Sequence, residues 1–209
     1  MTRVIITGTD TDIGKTVFAA GLTQALNAQY WKPVQAGLDG ETDSQTVARL
    51  SGMQTLPEAY RLAMPASPHL AAEDEGVEID PAHLVLPQTN GPLVVEAAGG
   101  LMVPLNRRVL FLDVIATWPA PVILCARTAL GTINHSLLSL AALRHAGCPV
   151  LGIAFIGASN PAVERTICDF GEVAYLGCLP MLAPLTPPSL AQAFAAHIDM
   201  ASIRKGLAL

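Results

Sequence analysis

The residues best able to do chemistry stand near the amino terminus, in Gly8-Thr9-Asp10-Thr11-Asp12-Ile13-Gly14-Lys15-Thr16. An apolar, β-branched run over residues 3–7 leads into this segment, and a helical pattern over 15–27 leads out of it. A strand, a glycine-bearing turn and a Lys-Thr pair at a helix start form a cradle for phosphate. The glycines let backbone N–H groups turn toward phosphate oxygens, and the helix start adds partial positive charge. Lys15 is suited to neutralising the β and γ phosphates of a nucleoside triphosphate, and Thr16 to offering its hydroxyl to Mg²⁺. The spacing departs from the usual one: five residues, not four, separate Gly8 from Gly14.

The elements that must hold this loop follow from hydrophobic period. Runs such as VIIT, LVVE and VILC are apolar without alternation, as strands covered on both faces are. Strands are expected over residues 3–7, 29–34, 93–96, 121–125, 150–156 and 173–176. Helices are expected over 15–27, 44–50, 109–116, 132–146 and 161–170. Such alternation implies an α/β fold of the P-loop NTPase type, a mostly parallel sheet flanked by helices on both faces. Residues 51–90, rich in Pro, Ala and acid, read as a loop-laden excursion, and Thr186-Pro187-Pro188 breaks the chain before a C-terminal helix. At 209 residues, one P-loop domain over 1–209 is expected.

Composition narrows the partners. With 12 Lys and Arg against 17 Asp and Glu, the net charge of −5 opposes binding to nucleic-acid phosphates or anionic lipid. Charged residues are 14% of the chain and hydrophobic ones 51%, which excludes disorder as the main state. So few charges leave apolar surface for an identical subunit to cover. The longest near-apolar stretch, 146–158, contains Gly147, Pro149, Gly152 and Gly157 and falls short of the ~20 residues that span a bilayer. Cys125, Cys148, Cys168 and Cys178 lack metal-ligand spacing and read as buried thiols in a reducing cytoplasm. A cytoplasmic chain without nucleic-acid or membrane partners is expected.

Taken in order, GTDTDIGKT, WKPVQAG, TDS, VVEAAGGLMVPL, LGTINH and LGCLP closely resemble the dethiobiotin synthetases, which close the ureido ring in biotin synthesis. The likeness runs over residues 4–184. It implies a homodimer that uses ATP and Mg²⁺ on 7,8-diaminononanoate and CO₂ or bicarbonate. CO₂ adds to one amine, the carbamate oxygen attacks the γ-phosphate, and the second amine captures the carbamic–phosphoric anhydride.

On that resemblance the catalytic residues are Lys32, Lys15 and Thr11, with Lys32 stabilising charge between carbamate and γ-phosphate. The nucleotide is expected against Asp12, Ile13, Gly14, Lys15, Thr16, Val17, Asp43, Glu96, Ala97, Ala98, Gly99, Leu179, Pro180 and Met181. Thr16, Asp43 and Glu96 would hold Mg²⁺ through hard oxygens. Glu96 ends an expected strand, where open parallel sheets present ligand groups. The diamine is expected against Thr11, Lys32 and Ala36. In the family its carboxylate meets the partner subunit's helix start, here Gly131, Thr132, Ile133 and Asn134. Plainer readings compete: a solvated Lys32, a buried capped Glu96, and an Asp43 that is only a helix N-cap before Ser44.

Several positions depart from the family pattern. Ala97 replaces the first glycine of the usual EGAGG and would be strained if its φ were positive. Ala36 removes a hydroxyl that a water can replace. Adenine-selective members carry Asn-Asp after the strand at 150–155, where this chain has Ile156-Gly157-Ala158 and only later Ser159 and Asn160. Other nucleoside triphosphates are therefore expected to serve beside ATP. His69 has no assigned role, and His135 reads as a helix-surface residue. A cobyrinate-type synthetase would need a further glutaminase domain. A nucleotide-switch or positioning ATPase would want a second lysine where Asp10 stands.

Overall fold

A computed structural model describes residues 2–209, so Met1, inside the expected domain span, lies outside the described residues. The strands are β1 (Arg3–Gly8), β2 (Gln29–Trp31), β3 (Val34–Ala36), β4 (Thr55–Leu56), β5 (Tyr60–Leu62), β6 (Leu93–Gly100), β7 (Val122–Arg127), β8 (Val150–Ile156) and β9 (Tyr175–Leu179). Seven form one sheet in the order β4-β2-β6-β1-β7-β8-β9, with every pairing parallel. From β1 the chain runs out to β2 and β4, returns to β6 beside β1, and then crosses to β7, β8 and β9, a reversal that sets a crevice at the carboxyl ends of β6, β1 and β7.

Alternation along each strand sends side chains to opposite faces. Val4 and Ile6 of β1 join an apolar layer with Phe18 and Leu22 of α1 (Lys15–Leu26). Val47 and Leu50 of α2 (Asp43–Ser51), Phe194 of α7 (Pro187–His197) and Ile203 of α8 (Met200–Gly206) complete that layer. Ile5 faces the other way, toward Ala71 of α3 (Pro68–Asp74) and Phe111 of α4 (Phe111–Thr117). Leu140 of α5 (Thr132–His145) and Ile167 of α6 (Pro161–Gly171) cover β8 on that side.

Several element boundaries differ from expectation. The strand expected over 29–34 is broken after Trp31, because Pro33 lacks an N–H and restricts the residue before it. Lys32 is therefore released from the ladder, and β3 pairs with β5 in a separate two-stranded sheet. Glu96 does not end its strand, since β6 continues to Gly100. The parallel register does break just there: Ile6 faces Glu96, and then Gly8 faces Gly100. The excursion at 51–90 supplies β4, β5, α3 and a 3₁₀ turn, Pro81–His83, and so adds an edge strand to the main sheet. The C-terminal helix is two helices, α7 and α8. Strand β9 begins at Tyr175 rather than residue 173, and α4 at Phe111 rather than 109.

Candidate active site

The phosphate loop leaves β1 and enters α1 through Gly14, whose φ of 93° is left-handed. A Cβ at that position would lie 2.8 Å from Cγ2 of Ile156. No side chain caps α1, so the N–H groups of its first turn stay free for an anion. Lys15 folds back over the loop, and its Nζ donates to the Asp10 carbonyl at 2.6 Å. Burial, together with nearby Lys32, lowers the pKa of its ammonium. Arg127, at the end of β7, donates to the carbonyls of Thr11 and Asp12 and ties the loop to the sheet.

Beneath the loop, four elements bring charge together. Lys32 Nζ lies 2.6 Å from Asp43 Oδ2 and 3.1 Å from Glu96 Oε1. Thr16 Oγ1 donates toward Glu96 Oε1 at 2.9 Å and Asp43 Oδ1 at 3.0 Å. Glu96 Oε2 accepts from the Tyr30 hydroxyl at 2.8 Å. Asp43 sits in the first turn of α2 and is not its N-cap. That place belongs to Thr42, which forms a capping box with Gln45. Gln35 Oε1 accepts from the Asp43 N–H at 3.2 Å and helps fix the helix start.

Burial opposes the Lys32 charge, but Glu96 and Asp43 outweigh it and raise the pKa of its ammonium. Burial likewise opposes the Asp43 charge, and Lys32 outweighs it, holding the carboxyl below its ordinary range. Asp43 and Glu96 bring carboxylate oxygens to the Thr16 hydroxyl, on a cavity that the Lys32 and Lys15 ammonium groups also line, so oxygen ligands for a cation stand beside groups that take phosphate charge. Among the described residues no three His, Cys, Asp or Glu gather into a metal cage. Two carboxylates and a hydroxyl are instead the hard-oxygen set that suits Mg²⁺ shared with phosphate and water.

A cavity of about 280 Å³ is lined by Thr11, Asp12, Gly14, Lys15, Thr16, Lys32, Asp43, Glu96 and Gly99. Asp12 and Gly14 also border a larger cavity of about 680 Å³, with Ile13, Val17, Arg127, Asn160, Leu179, Pro180 and Met181 on its walls. Positive φ in the AAGG segment falls on Gly99, at 63°, where the β6 register breaks. A Cβ at Gly99 would meet Val103 Cγ2 at 2.8 Å. Ala97 is therefore free of the strain its substitution suggested. Its methyl packs in the core and its carbonyl faces Lys32 Nζ at 3.4 Å.

Other expected residues lie apart from the charged cavity. Ala98 and Ala36 pack against the apolar layer that holds Trp31. Gly131, Ile133 and Asn134 are exposed at the start of α5, and buried Thr132 donates to the Arg127 carbonyl. His69 is within 3.1 Å of Ser67 Oγ and borders a separate cavity with Arg107. His135 is exposed on α5. Sequence reasoning missed three residues. Arg127 is the one charge in PVILCAR, and Tyr30 carries the one hydroxyl in its strand, so each left a faint signal. Gln35 left none.

A family model described as an AAA domain matches residues 2–189. The ATP-dependent dethiobiotin synthetase BioD of Agrobacterium fabrum is 62% identical over 95% of each chain. The BioD of Rhodopseudomonas palustris strain BisB5 is 61% identical over 98% of each chain. That of Brucella ovis is 58% identical over 94% of this chain and 95% of its own. This chain belongs to the dethiobiotin synthetases. Solved structures add the fold alone. The cell division ATPase MinD of Pyrococcus furiosus superposes with a TM-score of 0.63 at 15% identity, over 98% of this chain and 99% of its own. A ParA family ATPase of Chlorobium tepidum gives 0.56 at 11% identity, over 99% and 96%. The fold is thus shared with these two ATPases, while close sequence kinship lies with the synthetases.

The buried charges make a stability prediction. Lys32→Met leaves Glu96 and Asp43 without their shared ammonium and is expected to lower the unfolding free energy by about 3 kcal/mol at pH 7. Asp43's carboxyl is held low in the parent, so its ion pair stabilises above the ordinary carboxylate range and is lost as pH falls through the depressed value. In the variant Asp43 loses the ammonium that holds its carboxyl low and takes up a proton more readily, so the deficit shrinks in acid. Urea unfolding of both proteins at pH 7 and pH 4 checks this, and a constant deficit contradicts it.

Proposed function

We propose that this chain joins CO₂ to 7,8-diaminononanoate and closes the ureido ring to give dethiobiotin, converting ATP to ADP and phosphate. One observation carries the reading: a chain about 60% identical to dethiobiotin synthetases over nearly its whole length has Lys15, Thr16, Lys32, Asp43 and Glu96 on one cavity. Phosphoryl transfer asks a protein mainly for positioning and charge neutralisation, and this cavity is built for both.

In this reading the triphosphate lies along the loop, with its base toward Leu179, Pro180 and Met181. Free N–H groups at the start of α1 and the Lys15 ammonium take the phosphate charge. Thr16, Asp43 and Glu96 would hold Mg²⁺, which when bound neutralises β- and γ-phosphate oxygens. Lys32 faces the carbamate formed from CO₂ and one amine. Its ammonium stabilises the charge that develops as the carbamate oxygen bonds to γ-phosphorus and the bond to the ADP oxygen breaks. Thr11 borders the same cavity, which supports a role in hydrogen-bonding the diamine side of that complex. The second amine then attacks the carbamoyl carbon, loses a proton and expels phosphate as the ring closes.

Apolar side chains at the α5 start support a homodimer. Leu130 and Ile133 are exposed at that start, as are Leu138 farther along α5 and Met102, which shares a cavity with Leu138, and a second copy would cover them. In that dimer the helix start at Gly131, Thr132, Ile133 and Asn134 receives the carboxylate of the substrate held by the partner. The chain works as one P-loop domain in the cytoplasm. No helix of the described residues is long and apolar enough to cross a membrane.

Phosphate release tests the reaction most simply. It is expected to require the diamine and bicarbonate together, and release indifferent to the diamine would sink the assignment. Base selectivity is a separate expectation. Asn160 Oδ1 caps α6 by accepting from the Val163 N–H, and the Ser159 hydroxyl donates to Glu164. The side-chain atoms best placed to read a base edge are thus already engaged. CTP and GTP are expected to support initial rates within about tenfold of ATP, the scale of one modest contact. A preference for ATP above about a hundredfold would show that backbone groups or the Asn160 amide read adenine.

A further inference from the structure

We propose that Tyr30 is a positioning residue that aims the Glu96 carboxylate at the cation. The inference rests on the reading of Thr16, Asp43 and Glu96 as Mg²⁺ ligands. Tyr30 is fully buried on β2, and its hydroxyl donates to Glu96 Oε2 at 2.8 Å. Glu96 is equally buried, and its other oxygen, Oε1, takes both Thr16 at 2.9 Å and Lys32 at 3.1 Å. The phenol therefore divides the carboxylate into an anchored oxygen and a working one.

That division has a physical purpose. The terminal torsion of a glutamate is broad and two-fold, so an unanchored carboxylate turns readily. With Oε2 free, both oxygens could swing onto the Lys32 ammonium and leave Thr16 without a carboxylate neighbour. The backbone holds the donor firmly: β2 and β6 are parallel neighbours, and Tyr30 is in register with Val94, two residues before Glu96. Alternation sends Tyr30 to the face of α1 and the phosphate loop, whereas Trp31 packs on the opposite layer. A buried phenol needs a hydrogen-bond partner, and here it has one charged oxygen.

The test compares Tyr30→Phe with the parent by calorimetric titration of ADP and of a non-hydrolysable ATP analogue, across rising Mg²⁺ and in EDTA. The Mg²⁺ concentration that half-saturates the gain in nucleotide affinity is expected to rise about 3- to 10-fold in the variant, the range of one modest contact. Affinity in EDTA is expected to stay within about twofold of the parent, because the phenol's hydrogen-bond partner, Glu96, meets the nucleotide through the cation in this reading. Tyr30→Gln, which restores an N–H donor, is expected to recover part of the Mg²⁺ response, whereas Tyr30→Leu is not. That pair gives the same comparison should Tyr30→Phe fold poorly. A parent that responds to Mg²⁺ beside variants that respond identically overturns the proposal alone. A parent whose nucleotide affinity ignores Mg²⁺ overturns the metal reading and the proposal with it. Equal losses with and without Mg²⁺ show a merely structural residue and also overturn it.

Discussion

Two carboxylates, Glu96 and Asp43, share one buried ammonium on Lys32 and one hydroxyl on Thr16. A charge so enclosed is strongly unfavourable unless paired and hydrogen-bonded, so the four groups must meet within about 3 Å or the interior fails. Each comes from a different element: the break after β2, the start of α2, the middle of β6 and the start of α1. The central strands of the sheet and two helix starts are thus fixed relative to one another by electrostatics as well as by apolar packing. The same cluster, bordering the phosphate loop, is what the proposed chemistry uses.

Local features of this site were legible in the chain. Gly14-Lys15-Thr16 declares itself because its function needs only a strand, a turn and a helix start in succession. Lys32 and Glu96 were singled out by the family resemblance, Glu96 also by an expected strand end, although the boundaries of both strands moved. Pro33 cut the first strand short, and a register break, not a strand end, lies beside Glu96. Tyr30, Gln35 and Arg127 stayed hidden because their roles exist only through contacts with residues 66, 8 and 115–116 positions away. A tyrosine in an apolar strand reads as core until its neighbour across the sheet is known. The Ala97 substitution looked hazardous from the pattern alone and proved harmless once the positive φ was found at Gly99.

Fold and chemistry separate cleanly here. The fold resembles that of a cell division ATPase and a ParA family ATPase at 15% identity or less, which speaks to architecture only. What distinguishes this chain is kinship at about 60% identity to dethiobiotin synthetases, and its Lys32, on the strand break, faces Asp43 and Glu96. Asp10 accepts from Lys15 at its carbonyl and from the Thr11 N–H at its carboxylate, and so helps shape the loop.

The most direct test is where the oxygen goes. If Lys32 and the phosphate loop serve attack by a carbamate oxygen, phosphate released from ATP, diamine and freshly added ¹⁸O-bicarbonate in unlabelled water carries one ¹⁸O. With unlabelled bicarbonate in H₂¹⁸O, measured before bicarbonate exchanges with water, it carries none. Label arriving in phosphate from water in place of bicarbonate would mean that the site hydrolyses ATP, and would contradict a synthetase built on this cluster.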